Sequence, residues 1–187
     1  MNKRTIKKNR HRPTPLRIAA LHPIFIFNKK HFEKRFSLNV RFNSSCKYLI
    51  DIDQSDWNKL TGVCLGVAGP HGTSYRFGWR WREDMRVIEI CAYYYCNGIG
   101  WNAEHLAYLN LNMSYGLSLR LKARDGRIVV MFTAKEIATG KYYQHTIHHV
   151  LEKSPRLGFG CGLYFGGNRK APHNIEVYMS DITVSDV

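Results

Sequence analysis

Residues 75–82 read Tyr-Arg-Phe-Gly-Trp-Arg-Trp-Arg, an alternation that few folds can accommodate. On a strand, successive side chains point to opposite faces, so Tyr75, Phe77, Trp79 and Trp81 share one side while Arg76, Gly78, Arg80 and Arg82 share the other. A helix would spread both sets around its circumference. The segment therefore predicts a β-strand whose aromatic face enters a core and whose cationic face meets solvent or a ligand.

The same two-residue period recurs along the chain. Segments 37–42, 48–52, 60–68, 85–95, 106–112, 115–121, 127–133, 142–147, 157–163 and 174–184 read as further strands, separated by Gly, Asn, Asp and Pro clusters. Asp125–Gly126 supplies the positive backbone dihedrals of a tight hairpin. Residues 134–138 read as one helical turn, too short to change the class. No amphipathic segment is long enough to serve as the crossover helix of a parallel sheet. The expected fold is all-β, a two-sheet antiparallel jelly-roll sandwich.

At 187 residues the chain fits a single domain. Its charge is uneven: residues 1–35 hold eleven of the 28 lysines and arginines against Glu33 alone. The expected division is a basic N-terminal extension over 1–35 and a sandwich over 36–187. Such an extension attracts polyanions of any kind by Coulomb forces and counterion release. Sequence-specific nucleic-acid recognition is not expected, because zinc-finger spacing, a phosphate-binding glycine loop and an aromatic RNA-reading strand are all missing. The apolar patch over residues 16–27 is broken by Arg17, His22 and Pro23 and falls short of the roughly 20 residues of a membrane span. It also lacks the clean apolar stretch of a secretory signal.

Arg76, Arg80 and Arg82 could grip carboxylates or sulfates through their planar guanidinium forks. Glu83, Glu89 and Glu104 offer the alternative, an ion-pair network that serves structure alone. In the run Tyr93–Tyr94–Tyr95 the middle phenol faces away from its neighbours. Trp57 and Trp101 suit either sugar stacking or plugging the edge of a core. The expected ligand-facing set is Arg76, Arg80, Arg82, Tyr94 and Trp101.

His71, Arg80, Tyr93 or Tyr95, and His173 form the best catalytic set the sequence offers. Arginine would neutralise a uronate carboxylate, histidine would abstract the activated proton and tyrosine would protonate the leaving oxygen, giving β-elimination. His145, His148 and His149 lack a nearby carboxylate and the HExxH pattern, so neither a metal nor another cofactor is expected. The five cysteines have no zinc spacing and read mainly as small buried hydrophobes. The Gly-rich run at 164–168 reads as a sharp turn.

Four blocks taken together, residues 53–60, 74–80, 92–98 and 164–173, resemble a poorly characterised group of secreted Bacteroidetes proteins with concanavalin-like jelly-roll character. The resemblance spans about residues 36–184. It implies two packed antiparallel sheets and a secreted, periplasmic or cell-surface setting concerned with glycans, without an assigned activity. The functional expectation is a noncatalytic domain that binds an acidic or host glycan. The alternatives are a polysaccharide lyase acting on a uronate-containing glycan and a structural or protein-interaction domain; the oligomeric state is left open.

Overall fold

The computed structural model describes residues 1–13, 24–26, 31–66, 69–152 and 157–187. Its strands are β1 (Asn2–Ile6), β2 (Ile24–Ile26), β3 (His31–Phe42), β4 (Asn58–Leu65), β5 (Thr73–Arg82), β6 (Val87–Tyr95), β7 (Trp101–Leu109), β8 (Ser114–Arg124), β9 (Arg127–Glu136), β10 (Tyr142–Val150), β11 (Leu157–Cys161), β12 (Ile175–Met179) and β13 (Thr183–Asp186). They build two antiparallel sheets. A seven-stranded sheet runs β1-β12-β3-β8-β9-β10, with β13 also paired to β3, and a six-stranded sheet runs β2-β11-β4-β5-β6-β7. The all-β, two-sheet jelly-roll sandwich is the fold.

Alternation decides which side of each strand is buried. From β5, Tyr75, Phe77, Trp79 and Trp81 enter the core, joined by Ile88, Ile90, Ala92 and Tyr94 of β6. Facing them across the sandwich are Leu117, Leu119 and Leu121 of β8 and Val130, Phe132 and Ala134 of β9. Phe77 meets Phe132 edge to face at 5.2 Å between ring centres, the geometry in which a ring's positive edge meets a negative face. The β8–β9 hairpin turns at Asp125 (φ 50°) and Gly126 (φ 77°), the two left-handed residues that a two-residue hairpin loop demands.

Several local expectations change. Residues 48–50 are irregular and are followed by a 3-10 turn at Asp51–Ser55; Tyr48 is buried in the core and its hydroxyl oxygen accepts from Asn58 Nδ2 at 2.7 Å. Residues 134–136 continue β9 instead of turning into a helix. The boundary drawn at residue 35 falls inside β3, whose Lys34 and Arg35 are paired with Leu121 and Arg120. Asn2–Ile6 pairs with Ile175–Met179, and Ile6 is fully buried. The sequence gives little hint of this, since the strand carries one apolar residue and finds its partner some 170 positions away. Of the apolar patch, residues 24–26 form β2, and 14–23 and 27–30 lie outside the described residues. No helix among the described residues is long and apolar enough to cross a membrane.

Candidate active site

The candidate site lies on the outward face of the six-stranded sheet. Strand pairing sets Arg76 beside Gly62 of β4 on one flank and Tyr93 of β6 on the other, with Ser74 beside Tyr95 and Tyr95 beside Trp101. Residues directly opposite on neighbouring antiparallel strands share a face. Gly62 makes room for this row: a Cβ there would lie 2.2 Å from the Tyr75 carbonyl oxygen and 2.8 Å from Arg76 Cγ. Gly78 leaves the next position open as well, since a Cβ would meet Cys91 Sγ at 2.5 Å and Tyr93 Cβ at 3.3 Å. Across that gap Lys59 of β4 reaches Tyr93, its Nζ 4.5 Å from the ring centre.

Lys59 and Arg76 thus converge on one tyrosine. The Arg76 guanidinium carbon lies 5.0 Å from the Tyr93 ring centre and 5.6 Å from that of Tyr95. Trp101 stacks on Tyr93 at 5.5 Å, nearly parallel, and His71 meets Tyr95 edge-on at 5.1 Å. Arg76 is 8% exposed and its Nε has no hydrogen-bond partner among the described residues. No carboxylate among the described residues forms an ion pair with Arg76 or Lys59.

Lys59 Nζ donates to the Trp57 carbonyl at 2.7 Å. Burial, reinforced by the Arg76 charge and only partly offset by Asp56, pushes its ammonium down to about 8. Burial pushes the Tyr93 phenol well above its ordinary value, and its hydrogen bond to Tyr95 acts in the same direction. Tyr93 is therefore held protonated beside the half-buried Tyr95, their ring centres 6.0 Å apart.

Arg80 and Arg82 are placed differently. Arg80 Nε donates to Glu89 Oε2 at 2.8 Å, its Nη1 donates to the Ser55 carbonyl, and its guanidinium lies 4.2 Å from the Trp57 ring centre. Arg82 is shared between Glu89 and Asp84. His105 closes the cluster at 3.0 Å from Glu89 Oε1. Burial opposes ionisation of Glu89, but the hydrogen bonds from Arg80, Arg82 and His105 outweigh it and hold the carboxyl below its ordinary value. This end of the face is electrically closed, whereas the Lys59–Arg76 end is not.

The sequence-derived sets divide accordingly. Arg76, Trp101, Tyr93, Tyr95 and His71 come together. Tyr94 points into the sandwich, where its hydroxyl donates to Glu104 at 2.5 Å. His173 lies beside β12 of the other sheet, its Nε2 2.9 Å from the Ser45 carbonyl oxygen. Trp101 opens β7 and is 55% exposed. His145 pairs with Glu104 and His149 with the Tyr75 hydroxyl, both at the β10 edge. Lys59 is a site residue outside the sets expected from the sequence. Its signal is weak: a single outward lysine between buried Asn58 and Leu60, followed by a register shift before Thr61.

Cys64 and Cys161 occupy the Arg76 side of β4 and β11, their Sγ atoms 2.7 Å apart. The bond from Cys64 holds the Cys161 thiol below its ordinary value, with Arg76 adding to the effect against burial. Exposure to oxidised glutathione is expected to couple them, two thiols and one glutathione disulfide giving one protein disulfide and two reduced glutathiones. Non-reducing peptide mapping checks this, and peptides that remain separate or capped singly would contradict the placement.

No family model matches the chain, and no curated protein matches it either. The fold does match solved structures. Alginate lyase vAL-1 from a Chlorella virus superposes with a TM-score of 0.61 at 14% identity, covering 99% of this chain and 84% of the lyase. The family 7 alginate lyase A1-II' gives 0.52 at 11% identity, covering 87% and 66% respectively. Scytalido-glutamic peptidase gives 0.52 at 12% identity, covering 89% and 79%. Identities this low establish the sandwich and leave chemistry to the site.

These matches correct two expectations. The architecture agrees with solved alginate lyases, not with a poorly characterised Bacteroidetes group. The expectation of a noncatalytic glycan-binding domain is corrected as well: the solved structures that share this sandwich include two alginate lyases and a peptidase, which are catalytic proteins. The binding reading treated Arg76, Arg80 and Arg82 as one ligand-facing row, but Glu89 takes two of the three. The chain shares its jelly-roll sandwich with solved structures that include alginate lyases, and Lys59, Arg76, Tyr93 and Tyr95 meet on one outward sheet face.

Proposed function

We propose that the protein is a polysaccharide lyase that cleaves a uronate-containing glycan of the alginate type by β-elimination. The observation that carries this reading is the convergence of two cations, Lys59 and Arg76, on Tyr93 and Tyr95 with no ion-paired carboxylate among the described residues. Buried charge left uncompensated is costly, and a uronate carboxylate would supply the missing anion. The alginate lyases that share the fold support the same substrate class.

Each residue then has a role. Arg76, charged at every relevant pH, neutralises the carboxylate and acidifies the proton on the adjacent carbon. Lys59 as free amine takes that proton from C5. The electron pair forms the C4–C5 double bond, the C4–oxygen bond breaks, and the departing oxygen takes a proton from Tyr95, which Tyr93 backs through its own hydroxyl. Trp101 offers its exposed face to a neighbouring sugar ring. Glu89 does not suit the peptidase's chemistry, because Arg80, Arg82 and His105 already occupy its oxygens.

The test is ultraviolet detection of the conjugated product from a panel of polyuronates across pH. The rate is expected to rise with pH through about 8, where Lys59 loses its proton. Lys59→Arg should not restore it, because guanidinium stays protonated. A rate that is flat through this range would exclude Lys59 as the base.

A further inference from the structure

The reactive row does not stop at β4. Lys59 and Tyr164 exchange both backbone hydrogen bonds at 2.8 Å, forming an antiparallel bridge, so their side chains share the outward face. Gly166 seats this loop tightly, since a Cβ there would lie 2.0 Å from the Trp57 carbonyl oxygen and 3.0 Å from Lys59 Nζ. Beyond Tyr164 comes a piece of the basic N-terminal segment. His11 stacks on Tyr164 at 5.1 Å with rings 5° from parallel, and Arg12 lies 5.6 Å from the same ring centre.

Residues 9–12 are fastened there. Asn9 N donates to the Ala171 carbonyl, Ala171 N to that of Arg10, and Phe165 N to that of His11, all within 3.0 Å. His11 Nδ1 lies 2.9 Å from the Phe165 carbonyl oxygen. Between this clip and the 164–170 loop is a cleft of about 480 Å³ lined by Arg10, His11, Arg12, Tyr164 and Lys170. Among the described residues no acidic side chain lines it, and none forms an ion pair with Arg10, Arg12 or Lys170.

We propose that this cleft is a polyanion subsite, taking uronate units of a long chain beyond those held at Lys59 and Arg76. Trp101, Tyr93, Arg76, Lys59 and Tyr164 then mark a track running across the strands. At about 4.8 Å per strand, its four steps span roughly 20 Å before the clip is reached, more than one sugar ring. The basic N-terminal residues thus serve the substrate path. The inference rests on the lyase reading for the identity of its ligand.

The experiment uses the full chain carrying Arg10→Ala, Arg12→Ala and Lys170→Ala together, three exposed positions outside the catalytic row. Calorimetric binding of alginate polymer and turnover of an alginate tetrasaccharide are compared with the unmodified protein. Polymer affinity is expected to fall at least tenfold, with tetrasaccharide turnover kept within about twofold. Equal polymer affinity in the two proteins overturns the subsite even if both cleave alginate. Loss of polymer binding in the variant upholds the subsite even if neither protein cleaves, an outcome that counts against the lyase reading alone.

Discussion

Removing Lys59 or Arg76 is expected to reduce polyuronate elimination by at least about 10²-fold each, the scale of a lost general base or a lost charge stabiliser. The two losses should differ in kind. Lys59→Ala removes the proton acceptor, so kcat falls while binding changes less. Arg76→Ala removes the carboxylate's principal cation, so kcat/KM falls with a raised KM as well. It also relieves the charge that depresses Lys59, and its pH profile should move toward higher pH. Tyr95→Phe leaves the stack intact but deletes the proton offered to the leaving oxygen. Steady-state kinetics on one polyuronate distinguishes the three. Wild-type rates in all of them would remove this face from the chemistry.

The second large effect is on stability. Glu89 is 4% exposed and receives hydrogen bonds from Arg80 and Arg82 as well as its contact with His105. Glu89→Ala strands two arginines beside a buried gap. Loss of a fully buried partner costs about 3–5 kcal/mol, and because these guanidiniums reach solvent the expected cost is nearer 2–3 kcal/mol. For a domain of this size that corresponds to a fall in Tm of roughly 5–10 °C, readable by thermal unfolding. The folded Glu89 carboxyl lies below its ordinary value, so its contribution is complete above the unfolded pKa of about 4.5 and is lost as pH falls through the folded value. The variant should therefore show a weaker loss of stability on acidification than the parent.

Much of the architecture follows from short-range pattern. The division of residues 75–82 into an aromatic inward face and a cationic outward face needs only a period of two, and the structure places Tyr75, Phe77, Trp79 and Trp81 accordingly. The fate of individual arginines depends on register. Arg82 stands opposite Val87, which puts Arg80 opposite Glu89 and Arg76 opposite Tyr93. One strand face is thereby split into a neutralised end and an uncompensated end. The same register sets Tyr94 opposite Tyr75 and so turns it inward, although the alternation within 93–95 was legible.

Lys59 was harder to read because its neighbours come from far away in sequence. Tyr93 is reached across Gly78, and Tyr164 is held by a lone bridge more than a hundred positions downstream. His173 was attractive as a histidine after a Gly-rich loop, but the chain has by then crossed to the other sheet and leads into β12. The N-terminal charge suggested attraction to polyanions without indicating where. What locates it is the pairing of Asn2–Ile6 with Ile175–Met179, after which Arg12 comes to lie over the Tyr164 ring.

Elimination at the Lys59–Arg76 row is tested by mass spectrometry of the products from a size-defined polyuronate. Elimination predicts two fragments whose masses sum to that of the substrate, one ending in an unsaturated ring, with the yield collapsing in Lys59→Ala. Fragments that together gain the mass of one water, or an intact substrate after prolonged incubation with folded protein, would contradict it.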